Sequence, residues 1–179
     1  GNQAALNQLY QSTSDFSEIV LSCRVAFSKR SWPYLMATTI PWLVLTGGVG
    51  VGKSHLAEVA ARTLVAHGER VRWQPVGELL DRLRLDFANS GEENAYAHLA
   101  HVAATPWLVL DDLGKSKPTG WVLDTLYMLI NSRTVKRART LITTNDTLPE
   151  LTAKLGDAIA DRVFDSHSGL VAVVTMSGP

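Results

Sequence analysis

The run Leu43-Val44-Leu45-Thr46-Gly47-Gly48-Val49-Gly50-Val51-Gly52-Lys53-Ser54-His55-Leu56-Ala57 constrains this chain more than any other. An apolar segment enters a glycine-rich loop, a Lys-Ser pair closes the loop, and an amphipathic helical pattern follows. Gly47 to Ser54 fit G-x-x-x-x-G-K-[ST], the pattern of a phosphate-binding loop. Glycine lets the backbone curl until several N–H groups point at one phosphate chain. The helix that follows adds the positive end of its dipole. In this reading Gly47, Gly48, Val49, Gly50, Val51, Gly52, Lys53, Ser54 and His55 line the phosphate chain of a nucleotide. Lys53 reaches the β- and γ-phosphates, and the Ser54 hydroxyl ligates Mg²⁺. A plain glycine-rich turn would not explain why Lys-Ser follows at once.

With 179 residues, 46% of them hydrophobic, the chain can bury one proper core. Lys+Arg and Asp+Glu both count 17, so the net charge is zero and any nucleic-acid binding must come from a local patch or from several copies assembled. Cys23 is the only cysteine, which rules out an internal disulfide and fits the reducing cytoplasm. No apolar run has membrane-spanning length, so no membrane partner is expected. The chain begins at Gly1 rather than Met, and the expectation is one domain, the C-terminal part of a longer protein.

Residues 1–40 read as a helical leader packed on the core, with Leu6, Leu9, Phe16, Ile19 and Val20 in helical phase and a break at Ser31-Trp32-Pro33. A cover for the nucleotide base, a link to a further domain and simple packing all fit it. Residues 41–179 read as strands alternating with helices. Strands are expected from Pro41 to Thr46, Arg70 to Gln74, Trp107 to Asp111, Arg139 to Thr144 and Leu170 to Thr175. Between them lie helices from Lys53 to His67 (Leu56, Val59, Ala60 and Leu64 inward), Val76 to Phe87 (Leu79, Leu80, Leu83 and Phe87 in phase), Glu92 to Ala104 and Trp121 to Thr134. A loop is expected at Asn89-Ser90-Gly91, and a helical stretch from Leu148 to Val163 broken near Gly156. This alternation predicts an α/β fold, a parallel sheet with helices on both faces, and a ligand at the carboxyl ends of the strands.

Three further stretches carry chemistry. Leu108-Val109-Leu110-Asp111-Asp112 puts two acids at a strand tip. Asp111 is expected to hold Mg²⁺, directly or through water, as a Walker B acid does. Asp112 is the expected general base, or the group that orients the attacking water. In Leu141-Ile142-Thr143-Thr144-Asn145 the amide of Asn145 can hydrogen-bond that water or the γ-phosphate, the sensor 1 role, although Asn also ends strands at turns. Arg162 lies among apolar residues at helical spacing in Gly156 to Val163 and calls for an anion. A phosphate on a neighbouring subunit or an intrachain carboxylate (Asp157, Asp161 or Asp165) would serve. His98 and His101, three apart, lack the companions a metal site needs and read as packed or exposed. Asp81 and Asp86 read as solvated, and the basic cluster Arg133, Lys136, Arg137 and Arg139 reads as a solvated surface sooner than as a contact for nucleic acid or a subunit partner. The five tryptophans read as core or edge packing.

With these stretches in place, the chain from about Pro41 to Pro179 resembles the DnaC/DnaI-type helicase loaders and the related IstB-type transposition ATPases of the AAA+ class. The most specific parts are Leu45 to Ala57, Val109-Leu110-Asp111-Asp112-Leu113-Gly114, Leu126 to Arg133, Thr143-Thr144-Asn145 and Gly156 to Val163. The resemblance implies a five-stranded parallel sheet of P-loop NTPase type in the order 5-1-4-3-2, with the lid absent or minimal. It implies slow, Mg²⁺-dependent ATP hydrolysis and a ring or spiral of identical subunits in which Arg162 meets a neighbour's ATP. It also implies a replicative helicase and, through the assembly, single-stranded DNA as partners. Lys53, Asp112, Asn145 and Arg162 are the catalytic set it suggests, with Ser54 and Asp111 on the metal. The alternatives are a transposition helper that remodels target DNA, a P-loop small-molecule kinase, and a nucleotide-dependent scaffold that does not hydrolyse. Asp112 stands where many AAA+ proteins carry Glu.

Overall fold

The computed structural model describes residues 41–165 and 171–177. Among these, the expected alternation is present: β1 (Trp42–Gly47), α1 (Lys53–Ala66), β2 (Val71–Pro75), α2 (Val76–Ser90), α3 (Glu92–Ala103), β3 (Trp107–Leu113), α4 (Gly120–Val135), β4 (Arg139–Thr144), α5 (Leu148–Leu155), α6 (Asp157–Phe164) and β5 (Val171–Met176). The proposed leader over residues 1–40 and Leu170 lie outside the described residues.

Every strand pairing is parallel, and the order is β2-β3-β4-β1-β5. This is the expected order 5-1-4-3-2 read from the other edge. Alternate residues of each strand serve two cores, as the two-residue period of a strand requires. Trp42 and Val44 of β1, Leu108 and Leu110 of β3 and Ile142 of β4 face the larger core, with α2, α3, α4, α5 and α6. Leu45, Val109, Leu141, Val174 and Met176 face the smaller one, against Leu56, Ala57, Ala60 and Ala61 of α1. Central strands buried on both faces have no polar side, which is why they read as continuous apolar runs.

The helices differ from expectation where a helical face is narrower than the apolar pattern. On α1 the buried stripe is Leu56, Ala57, Ala60, Ala61 and Leu64, and Val59, expected inward, is 38% exposed. Residues 56, 57, 60, 61 and 64 span one face at 100° per residue, and position 59 falls outside it. On α2, Leu79, Leu80 and Leu83 are buried, whereas Phe87 is 49% exposed. The helix runs through Asn89 and Ser90, so the expected loop shrinks to Gly91. β3 continues past Asp111 to Leu113. Thr119 caps α4, its hydroxyl accepting the Val122 N–H at 3.4 Å.

Candidate functional site

β1, β3 and β4 end at one edge of the sheet, and the three sequence signals meet there. Gly47 closes β1, the loop runs through Gly52, and Lys53 opens α1. Gly50 and Gly52 sit at φ 82° and 88°, in the left-handed region where a side chain costs energy. Gly52 is also the N-cap of α1 and has no side chain to cap it. The first-turn N–H groups therefore point into the loop, as an anion cradle needs. Gly48, Val49 and Gly50 are exposed, and His55 is exposed on the first turn of α1.

Lys53 is 6% exposed and donates from Nζ to the carbonyl oxygens of Gly47 (2.9 Å) and Gly48 (2.7 Å). Burial holds its pKa below the ordinary lysine value; Asp112 and, less strongly, Asp111 pull it back up. The ammonium is thus fixed at the throat of the loop by the loop's own backbone. Ser54 Oγ donates to Asp111 Oδ1 at 2.8 Å. This bond brings the two expected metal ligands together from residues 57 positions apart.

The acids sit on an irregularity of the sheet. Leu110 pairs with Ile142 and Leu113 with Thr144, so Asp111 and Asp112 on β3 stand opposite Thr143 alone. Such a bulge re-aims side chains, and bulges concentrate near active sites. Asp112 takes φ 60°, one of two described non-glycine residues at positive φ. Its backbone N–H donates to Thr143 Oγ1 at 3.0 Å, and Thr143 Oγ1 donates to Asp111 Oδ1 at 2.6 Å. Asp112 Oδ2 accepts from the exposed ammonium of Lys115 at 3.0 Å. The sequence reading gave neither Thr143 nor Lys115 a role: Thr143 stands inside a quoted motif, and Lys115 lies one residue past another.

Asn145 follows β4 directly, one residue beyond the Thr46–Thr144 pair, and is exposed at this same edge. The turn under it is fastened by its neighbour. The Asp146 carbonyl accepts from Thr46 Oγ1 at 2.8 Å, and its N–H donates to Thr144 Oγ1 at 3.1 Å. Asp146 is itself buried; Oδ1 accepts from Lys154 Nζ at 2.6 Å, and Oδ2 has no hydrogen-bond partner. The sequence reading missed this residue. Its only signal was an acid directly after Asn145, which reads as an ordinary turn.

Arg162 is not brought to this edge. It lies on α6, beside Pro41 and Trp42 at the start of β1 and Val171 at the start of β5. The six residues of β1 separate it from the loop, roughly 15 Å along the strand. Its guanidinium donates to Asn131 Oδ1 (3.2 Å), the Ala158 carbonyl (2.5 Å) and Tyr127 Oη (3.4 Å), and stands over the Tyr127 ring at 5.0 Å. These acceptors are neutral, unlike the carboxylates considered from the sequence.

Two surface readings need correction. Arg133, expected in a solvated basic cluster, is fully buried. It donates to Thr140 Oγ1 and to the carbonyls of Ala103, Thr105 and Arg139, at 2.5 to 2.9 Å. Burial brings its pKa down to about 10. Asp86, expected in solvent, is half-buried, bonded to His98 Nδ1 at 2.6 Å and 3.3 Å from Arg82 Nε.

The donors fit a nucleotide with a divalent cation. Among the described residues no three His, Cys, Asp or Glu side chains gather as a metal cluster. Mg²⁺ with a nucleotide needs none, because it takes one or two carboxylates, a hydroxyl and phosphate oxygens. Ser54 and Asp111 offer such hard oxygen donors side by side. Among the described residues no helix is long and apolar enough to cross a membrane.

Comparison with known proteins bears on the family and the fold. The family described as IstB-like ATP binding protein matches residues 34–177. The replicative helicase loader DnaC of Escherichia coli (strain K12) is 26% identical over 168 residues, covering 90% of this chain and 67% of the relative. A Mycobacterium tuberculosis protein, named for ATP binding and for its place in an insertion sequence, is 26% identical over 140 residues, covering 76% of this chain and 54% of the relative. The crystal structure of the DnaC helicase loader superposes with a TM-score of 0.69 at 24% identity, covering 90% of this chain and 89% of that one. The fold is that of an AAA+ P-loop ATPase.

Proposed function

The chain belongs to the family of IstB-like ATP-binding proteins, and from that premise we propose that it hydrolyses Mg²⁺-bound ATP to drive the loading of a replicative helicase on single-stranded DNA. The observation that carries the hydrolysis is the hydrogen-bonded chain Ser54–Asp111–Thr143–Asp112 beside the loop. The second acid, at φ 60° beside the first, supplies a candidate base in addition to the acid that a bound cation needs.

In this reading the loop N–H groups and Lys53 grip the phosphates. Ser54 and Asp111 would hold Mg²⁺, whose positive charge would offset the negative charge on the phosphate oxygens. Asp112 accepts a proton from the attacking water as its oxygen bonds to the γ-phosphorus, and the bond to the β-bridging oxygen breaks to leave ADP and phosphate. Asn145 aligns that water. Arg162, remote from its own chain's loop, serves a neighbour's γ-phosphate, which makes hydrolysis depend on assembly of identical subunits. Residues 41–179 act as the motor.

The relative in an insertion sequence supports a second client for the same motor, a transposase and its target DNA. The test is ATP turnover with single-stranded DNA and either a replicative helicase or a transposase added. Stimulation by helicase and single strands is the expected result, and stimulation by the transposase alone would shift the assignment. Phosphate transfer to a small acceptor in place of water would make it a kinase. Bound nucleotide with no turnover under any condition would leave a scaffold. Arg162→Ala mixed with Lys53→Ala should recover part of the turnover that each lacks alone, because one intact shared site forms between the two variants.

A further inference from the structure

Where β3 carries two residues against one, the ladder is locally disrupted and the N–H of Asp112 turns to a side-chain partner. The Thr143 hydroxyl supplies that partner. An oxygen that accepts from an N–H has its own proton directed elsewhere, and here it goes to Asp111 Oδ1. One fully buried hydroxyl therefore holds the backbone of one acid and the carboxylate of the other. The Ser54 hydroxyl donates to the same Oδ1. Two donors on one oxygen lock the rotation of the carboxylate and leave Oδ2 outside these bonds. β-Branching restricts Thr143 at χ1, so the hydroxyl is itself held in place.

We propose that Thr143 is a positioning residue for ATP hydrolysis, its hydroxyl setting the Asp111 carboxylate for the cation and holding Asp112 in the bulged conformation that aims it at water. This role rests on the ATPase reading above. It does not involve the phosphate cradle, which β1, the loop and α1 build.

Valine keeps the shape of Thr143 and removes both bonds, serine keeps the hydroxyl, and alanine removes both bonds without steric demand. The three variants of the whole chain would be compared by thermal melting, by turnover against Mg²⁺ concentration, and by binding of a fluorescent ATP analogue with and without Mg²⁺. Thr143→Val and Thr143→Ala are expected to lower turnover and raise the half-saturating Mg²⁺ concentration by about 10-fold or more, as loss of a ligand's supporting hydrogen bond does. Binding of the analogue without Mg²⁺ should stay within about 2-fold, since the cradle is untouched. Thr143→Ser should match the wild type. Wild-type Mg²⁺ dependence in Thr143→Val or Thr143→Ala overturns the proposal, and so does a Thr143→Ser variant as impaired as either. If valine prevents folding, the alanine and serine pair decides. If the wild type binds the analogue but turns over no ATP, the hydrolysis reading fails, and the Mg²⁺ dependence of binding still decides whether Thr143 positions Asp111.

Discussion

Ser54 Oγ and Asp111 Oδ1 lie 2.8 Å apart, joined by a hydrogen bond that spans 57 positions of sequence and two elements of the fold. The contact connects the phosphate loop to the acidic strand, and it pairs the two side chains proposed to share one cation. Asp111→Asn should bind nucleotide without Mg²⁺ as the wild type does, and lose the gain that Mg²⁺ brings. A metal contributes several kcal/mol of transition-state stabilisation, so turnover should fall by about 100-fold or more. Ser54→Thr keeps a hydroxyl and should stay near wild type, whereas Ser54→Ala should follow Asp111→Asn. Nucleotide binding and turnover, each titrated with Mg²⁺, check this.

Burial lowers the pKa of Lys53 below the lysine value, which is about 10.4 in model peptides. For a base whose folded pKa is depressed, the unfolded chain binds more protons in the window between the two values, so this group's contribution to stability rises with pH there. Nucleotide affinity runs the other way, because phosphate needs the charged ammonium. Affinity for ATP should decline on the alkaline side at a lower pH than an exposed lysine would give, with proton uptake on binding in that window. Calorimetry in buffers of different ionisation enthalpy measures the uptake. Binding that is flat up to the ordinary lysine range, with no proton uptake, would contradict the placement of Lys53.

Gly114, just past the acids, has φ 90°, and a Cβ there would come 2.1 Å from Asp146 Oδ2. The Asp146 carboxylate cannot swing aside freely, since Lys154 holds Oδ1. Gly114→Ala should therefore cost about 2 to 3 kcal/mol by urea unfolding, more than the 1 to 2 kcal/mol of a left-handed residue alone. It should also reduce turnover, because the displaced carboxylate shares the turn with Asn145. A variant as stable as the wild type would mean that the close approach is relieved by a shift of the turn.

Arg133 holds four oxygen acceptors near the start of β4 from a position with no exposure. Arg133→Leu leaves the carbonyls of Ala103, Thr105 and Arg139 without this donor, and a buried unsatisfied group costs roughly 1 to 3 kcal/mol. A total loss of about 3 kcal/mol or more is expected, read as a lower denaturant midpoint. Lys136→Ala, on the exposed side of the same cluster, should stay within about 0.5 kcal/mol.

The contrast between Arg133 and Lys136 shows where local reading stops. Both are basic residues near a helix end; spacing puts Arg133 in phase with Leu126, Leu129 and Ile130, but it names no acceptors for a buried guanidinium. Arg133 is buried because the last turn of α4 passes over the ends of α3 and the beginning of β4, and only the packing of those three elements puts carbonyls around it. Val59 and Phe87 make the same point for apolar residues: a pattern gives the period, but the width of the buried stripe depends on what covers the helix. α1 lies on the sheet through alanines at 57, 60 and 61, so its contact face is narrow.

By itself the sequence determined the strands, most of the helices, the parallel order through its resemblance, and the loop from Gly47 to Ser54. Those features are set by chemistry within a few residues of one another: glycines where φ must be positive, apolar runs where both faces are buried, a Lys-Ser pair directly after the glycines. Tertiary structure alone decided which side chains from separate strands touch. The Thr143 bridge exists because a bulge in β3 meets β4 in one particular register, and the burial of Asp146 because its turn folds against Gly114, Thr46 and Lys154. It also set Arg162 at the far edge of the sheet from its own phosphate loop. Register and packing join residues tens of positions apart, and no local pattern of residue types encodes that pairing.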